Sequence, residues 1–389
     1  MNALADEAIL DDTQALAAAD PGGLLRTLAG AGAQVRAAQT FAEEAGVHRL
    51  ADDGRPRAIL LAGVGGSGSA GDLLQAVLGV AAPVPIVLAR GSILPGWVGP
   101  TDLVLAVSCS GTTEETLAVV DEAGRRGARL LTVGAPRSPL AARADWTRAV
   151  HVPVNAGAAP PRTQLWALAV PLVLATEALG LLNSPPGALA ATADRLDRLA
   201  ERCAPGRERF ENPAKILATE LLDTLPLVWG SGDAGAAAAA RLATQLQENA
   251  KLPALAGVLP EAGHNQVVAF DGPFAGAGSG SSGSSGSGSL DDFFRDRVDE
   301  PIGPRLRLVL LRDEVEHPLV RARAAVVPAV AGARDVPVSL LRAEGASTLE
   351  RAASLIGIGD FASVYVALAS GIDPLPIAPI AELKERSAG

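Results

Sequence analysis

At 389 residues the chain is long enough for two or three domains with substantial cores. Its 48% apolar content argues against disorder, and a formal net charge of −10 without a basic stripe argues against a nucleic-acid partner. An anionic ligand would have to be held by local donors, and two cysteines, Cys109 and Cys203, are too few for a disulfide framework or a zinc site.

Residues 1–56 read as an amphipathic helical segment broken at Pro21-Gly22-Gly23, and Met1–Glu7 lacks the basic start of a secretion signal. From residue 57 short apolar runs alternate with helical stretches. Strands are expected at 58–62, 84–89, 103–107, 129–133 and 148–153, the pattern of a doubly wound parallel sheet. The apolar stretch Leu165–Leu182 contains Pro171 and Glu177 and reads as a buried helix, with no membrane span and a cytoplasmic location by default. Asn183–Gly187 reads as a boundary. A second α/β pattern starts at Pro226–Gly232, with strands near 305–312 and 336–341 and helices over 347–370 and 376–386. The division expected is a helical segment (1–56), a first α/β domain (57–185) and a second (186–389). The Gly/Ser tract at 275–289 is expected to form a flexible surface loop.

The densest chemical signal lies in two loops about 45 residues apart. Gly63-Val64-Gly65-Gly66-Ser67-Gly68-Ser69 follows the first strand, and Ser108-Cys109-Ser110-Gly111-Thr112-Thr113 follows the third. Glycines let backbone N–H groups turn inward, the next helix adds its positive dipole end, and hydroxyls add neutral donors. The two loops on neighbouring strands suit one phosphate. Gly63, Gly65 and Gly68 also fit GxGxxG, but a dinucleotide site wants an acidic residue about 20 positions on, and the next strand ends at Ala89-Arg90. Helix capping alone would explain one Ser or Thr per helix, not four in six residues.

Lysine occurs only at Lys215, Lys251 and Lys384, against thirty arginines, so a retained lysine suggests a need for a compact ammonium. Histidine occurs at His48, His151, His264 and His317. The region from Gln247-Glu248-Asn249-Ala250-Lys251 to Pro260–Asn265 gathers an acid, a lysine and a histidine suited to proton transfer. No set of residues has metal-ligand spacing, and no GxSxG elbow is present.

Together these motifs resemble a sugar isomerase (SIS) domain protein, and more closely the bifunctional phosphoglucose/phosphomannose isomerase family. The resemblance covers about residues 57–389. It is carried by GVGGSGS (63–69), SCSGTTEET (108–116), Pro160-Pro161-Arg162, Glu248, His264, Leu311-Arg312-Asp313, Glu316-His317-Pro318 and Lys384. It implies two flavodoxin-like SIS domains, isomerisation of glucose 6-phosphate and mannose 6-phosphate to fructose 6-phosphate through a cis-enediol, and no cofactor or metal. By the same resemblance Gly66, Ser67, Ser108, Ser110 and Thr113 hold the phosphate, and His264 with Lys384 opens the ring. Glu248 carries the proton between C2 and C1, and Arg162 stabilises the enediolate. The family's site lies at a subunit contact with its histidine reaching across, so a homodimer is implied. One departure stands out: the family often has a threonine shortly before the C-terminal lysine, whereas residues 371–384 hold no Ser or Thr, with Leu375 and Ile377 there. The alternatives are a non-catalytic sugar-phosphate-binding protein or an isomerase of a different sugar phosphate. The missing helix-turn-helix and glutamine-hydrolysing domain count against a sensor and against glucosamine synthesis.

Overall fold

The computed structural model describes residues 5–275 and 304–387. The N-terminal segment is helical as expected. A 3-10 turn (Glu7–Asp11) leads into α1 (Thr13–Ala19), whose first N–H groups are capped by Asp12, and the break at Pro21–Gly23 precedes α2 (Leu24–Ala29). A second break at Gly30 starts α3 (Ala31–Glu44), and a 3-10 turn covers Val47–Asp53.

The first sheet contains β1 (Ile59–Ala62), β2 (Ile86–Ala89), β3 (Leu103–Ser108), β4 (Arg129–Gly134) and β5 (Val150–Pro153). All pair in parallel in the order β2-β1-β3-β4-β5. Its connections run through α4 (Gly66–Leu78), α5 (Glu114–Arg125) and α6 (Pro139–Thr147), and α7 (Leu165–Ala178) follows β5. The strand order reverses between β1 and β3, the switch point where doubly wound sheets open a crevice for ligands. Both Gly/Ser loops leave the carboxyl ends of those two strands. β1 and β3 are buried along their whole length, as continuous apolar runs in a covered parallel sheet should be.

After α8 (Ala188–Arg202) and α9 (Pro213–Leu221), the pattern repeats with β6 (Thr224–Ser231), β7 (Leu255–Val258), β8 (Arg305–Arg312) and β9 (Val338–Arg342). These are parallel in the order β7-β6-β8-β9, which repeats the topology of the first sheet. The helices are α10 (Gly232–Asn249), α11 (Pro318–Gly332), α12 (Thr348–Ala369) and α13 (Ala378–Ser387). Sequence reading missed β7. It is a four-residue edge strand, mostly exposed and with a glycine inside, so it carries neither an apolar run nor an alternation. The expected flexible loop falls on residues outside those described, apart from its first: Ala275 is buried in the cluster of Trp229, Leu259 and Phe270.

One hydrophobic core runs from the N-terminal helices through both sheets, joining Leu16, Leu61, Val107, Leu168, Val228, Leu242 and Phe361. Two apolar helices cross it. The stretch expected to be a buried helix is α7, in which ten residues are buried. Helix α12 is long and apolar enough to cross a membrane, but 94% of its most apolar window is buried inside the protein. Helix α10 is rich in alanine and packs closely against α4, α12 and β6. Between α10 and α12 lies a bidentate ion pair, Arg241 Nε and Nη2 to the two oxygens of Asp360, both at 2.8 Å and both residues buried.

Removing one partner of that pair leaves an uncompensated charge in the core. Asp360→Ala is expected to cost about 3–5 kcal/mol in urea unfolding, and the apolar double variant Arg241→Met/Asp360→Leu should recover most of it.

Candidate active site

Two loop residues at the switch point meet directly. After β1 the chain turns at Gly65, whose φ of +56° suits only glycine without strain, and α4 begins at Gly66. The Ser67 hydroxyl accepts a hydrogen bond from the Cys109 backbone N–H at 3.3 Å, tying the first loop to the second. Ser108 is fully buried, and its Oγ braces the second loop: it accepts from the N–H groups of Gly111 (3.0 Å) and Thr113 (3.4 Å) and lies 2.8 Å from Thr113 Oγ1. Ser110 and Thr112 are exposed at the rim, their hydroxyls 2.9 Å apart. The hydroxyls thus divide into an internal brace at Ser108 and open groups at Ser110 and Thr112. Thr112, which the sequence placed within the loop, shares this rim with Ser110. Burial pushes the Cys109 thiol up to about 11, so it stays protonated at neutral pH.

The first loop abuts a second element of the site, the 3-10 turn Pro161–Thr163. A Cβ on Gly66 would stand 3.2 Å from both Arg162 Cα and the Pro161 carbonyl oxygen, a tight approach that glycine avoids where α4 starts beside Arg162. The Arg162 guanidinium is buried and heavily bonded. Nε donates to Asn249 Oδ1 at 2.7 Å, and Nη2 donates to the carbonyls of Pro374 (2.8 Å) and Leu375 (3.2 Å). Its own carbonyl accepts from Arg241 Nη2 at 2.9 Å, and the next carbonyl, Thr163, accepts from Gln34 Nε2 at 2.9 Å. Asn249 is in turn fixed by Ser363 Oγ at 2.9 Å and Gln245 at 3.2 Å.

Glu248 precedes Asn249 in the last turn of α10. It is half-buried, and among the described residues its carboxylate accepts no hydrogen bond. Burial pushes its pKa above the ordinary carboxyl value, opposed by the charges of Arg162, Arg241 and Lys251. A carboxylate partly desolvated, unpartnered and facing three cations is built to gain and lose a proton. A relay of contacts thus runs from the two loops through Arg162 to the end of α10, where Glu248 lies.

His264 and Lys384 stand apart from that site within the chain. His264 follows a short 3-10 turn, Glu261–Gly263, pinned to the second sheet by Gln266, which accepts from Trp229 Nε1 at 2.7 Å and donates to the Ala256 carbonyl at 3.1 Å. It is exposed, and its Nε2 meets Arg323 of α11. Lys384 lies on α13, in which no residue is buried. Neither acts on the Glu248 carboxylate, whose charged neighbours are the three cations named above. Arg162 and Glu248 are thus neighbours within one chain, whereas His264 lies on an exposed turn and Lys384 on an exposed helix. Among the remaining scarce residues, Lys215 is fully buried and bonds the carbonyls of Pro205 and Arg207, both at 2.7 Å, a structural role. His151 bonds Thr132, and His317 caps α11. Among the described residues no three His, Cys, Asp or Glu side chains gather as metal ligands.

Residues 210–386 match the bacterial phospho-glucose isomerase C-terminal SIS domain family. The bifunctional phosphoglucose/phosphomannose isomerase of Caldicellulosiruptor bescii is 28% identical over 332 residues, covering 85% of this chain and 89% of that protein. Its namesake from Aquifex aeolicus is 27% identical over 331 residues, covering 85% and 90%. Over residues 210–386 the chain thus matches a sugar isomerase (SIS) domain, and over most of its length it is similar to these isomerases. Solved structures agree on the SIS fold: a hypothetical protein of Thermus thermophilus superposes with a TM-score of 0.68 at 16% identity, covering 98% of this chain and 95% of that one. The C-terminal domain of the Francisella tularensis glucosamine-fructose-6-phosphate aminotransferase gives 0.64 at 14% identity, covering 90% and 97%.

The upward shift at Glu248 has a sign for stability. A carboxyl with a raised folded pKa holds its proton more tightly in the native state, so its ionisation costs stability at pH 7, and that cost disappears as pH falls below the ordinary carboxyl range. Glu248→Gln is therefore expected to melt roughly 1–2 °C higher than the parent at pH 7, with the gap closing in acid, read by calorimetry across pH.

Proposed function

We propose that this protein is a metal-independent aldose–ketose isomerase that interconverts glucose 6-phosphate and mannose 6-phosphate with fructose 6-phosphate. The observation that carries the reading is the unbroken path from the Ser67–Cys109 contact through Gly66 and Arg162 to Asn249 and Glu248. That path supports reading the hydroxyl loops as an anion cradle and Glu248 as a base, with Arg162 linking them: its backbone lies against the first loop and its side chain reaches the end of α10. The relatives named above supply the substrate class.

In this reading Ser67, Ser110, Thr113 and the N–H groups at the start of α4, Gly66 included, hold the phosphate, with Thr112 at the rim and Ser108 bracing the loop. Glu248 as carboxylate takes the C2 proton of the open-chain aldose while the C1 carbonyl oxygen gains a proton, giving the cis-enediol. The protonated Glu248 then returns its proton to C1 as the O2 proton leaves and C2 becomes the ketone. Arg162 faces the negative charge that builds on the enediolate oxygens, an electrostatic role that burial strengthens. Loss of the C2 proton erases the stereocentre that separates glucose from mannose, so both epimers pass through one enediol.

Ring opening falls to His264, aided by Lys384, delivered by a second subunit. Both are exposed within one chain, and the segment leading to Lys384 presents Leu375, Ile377, Ile380 and Leu383 to the surface, apolar groups that a homodimer would cover. The substrates, phosphorylated sugars that do not cross membranes, fit a cytoplasmic location.

A shared site makes subunit complementation the sharpest test. In chelator, Glu248→Gln and His264→Asn should each lose about 10³-fold in kcat while inorganic phosphate still competes for binding. Mixed and re-equilibrated in equal amounts, the two inert proteins should regain about a quarter of wild-type activity, because each mixed dimer rebuilds one intact site. No recovery, with mixed dimers present by mass, would place both residues in the same subunit's site or remove His264 from it.

A further inference from the structure

Of the three lysines, Lys215 is buried structure and Lys384 lies on an exposed helix. Lys251 is left. It stands two residues past the end of α10, in the left-handed region with φ of +56°, where helix ends ordinarily place glycine. The Leu252 N–H closes back onto the Leu246 carbonyl at 3.1 Å, so this is a formed helix stop and not a frayed end. A side chain retained at a position that favours none suggests that the side chain is used.

The left-handed turn brings the ammonium back across the helix end. Nζ donates to the Glu248 carbonyl at 2.7 Å and reaches the Pro374 carbonyl at 3.4 Å. The Pro374 carbonyl is also the one that Arg162 Nη2 holds at 2.8 Å. Two cations therefore converge on one carbonyl, and between them they fasten the segment linking α12 to α13 to the last turn of α10. An ammonium offers its donors tetrahedrally from one atom, which suits two carbonyls approaching one point. A guanidinium spreads its donors over a plane.

We infer that Lys251 is a positioning residue for this site: its ammonium ties the end of α10, and Glu248 with it, to the segment carrying Pro374, and fixes the charge beside the Glu248 carboxylate. The inference rests on the reading of Glu248 as the base. The groups that set the charge balance are known from every side. Glu248 faces Arg162, Arg241 and Lys251, and Lys251 faces Arg162, Asp373 and Glu248. Burial lowers the lysine pKa first and Arg162 lowers it further, while Asp373 and Glu248 oppose them. Removing the lysine charge leaves burial of Glu248 less opposed, so the carboxyl should titrate higher.

The test reads Glu248 directly and does not depend on turnover. In full-length protein labelled with ¹³C at glutamate side-chain carboxyls, the Glu248 resonance is identified by its loss in Glu248→Gln and titrated in wild type, Lys251→Met and Lys251→Arg. Lys251 is exposed, so neither variant opens the core. Lys251→Met should raise the Glu248 midpoint by about half a unit to one unit, whereas Lys251→Arg, which keeps the charge, should stay near wild type. The acid limb of kcat/KM for glucose 6-phosphate should move with it. An unmoved midpoint in Lys251→Met overturns the inference. A midpoint that moves while the rate limb stays fixed removes Glu248 as the base, and the positioning role falls with that reading.

Discussion

The buried guanidinium of Arg162 is the contact on which the rest of the site depends. Its backbone lies against the first glycine of α4, its Nε fixes the residue beside Glu248, and its Nη2 holds the segment before α13. Its carbonyl in turn receives Arg241, the same arginine that pairs with Asp360 in the core. Burial of Arg162 is a desolvation cost, offset by hydrogen bonds from Nε and Nη2 and by the nearby carboxylate. A lysine could not serve here, because one nitrogen cannot bridge an amide side chain and two backbone carbonyls in the same plane.

This arrangement accounts for how a protein with an acidic surface can hold an anion. The first sheet supplies backbone N–H groups and hydroxyls at its switch point, and the second sheet supplies the helix that ends in Glu248. The N-terminal segment also contributes to the site, since Gln34 of α3 holds the carbonyl next to Arg162 and Gly22 approaches Leu375. Glu248 stands where burial and three cations pull in opposite directions. That balance keeps a carboxylate available near neutral pH while leaving it easy to protonate, at some cost to stability.

Much of this architecture was legible in the sequence. Strands of the first sheet were expected within two residues of their positions, because buried parallel strands read as apolar runs bounded by turn residues. The loops were legible because glycine and hydroxyl residues concentrate where backbone donors must face a ligand. The edge strand β7 was hidden by its exposure and its glycine. Ser108, expected as a ligand group, also braces its own loop through its hydroxyl, a role that depends on which way the hydroxyl points and leaves no trace in composition. The scarcity of lysine singled out three residues with three different fates, and only the geometry separates them. The exposure of His264 and Lys384 is not written in their spacing, since spacing does not state whether two residues meet within a chain or across subunits; only the family resemblance pointed to a shared site.

The central claim is that the hydroxyl loops and Glu248 act on one molecule. It is tested most directly by NMR of hexose 6-phosphates with the wild-type protein in D₂O and chelator. The ³¹P signal reports binding at the loops, and the C1 and C2 protons report exchange through the enediol. The account predicts that bound glucose 6-phosphate gains deuterium at C2 as fructose 6-phosphate appears. A phosphate signal that shows binding, with no exchange at either carbon above the protein-free rate, would contradict it.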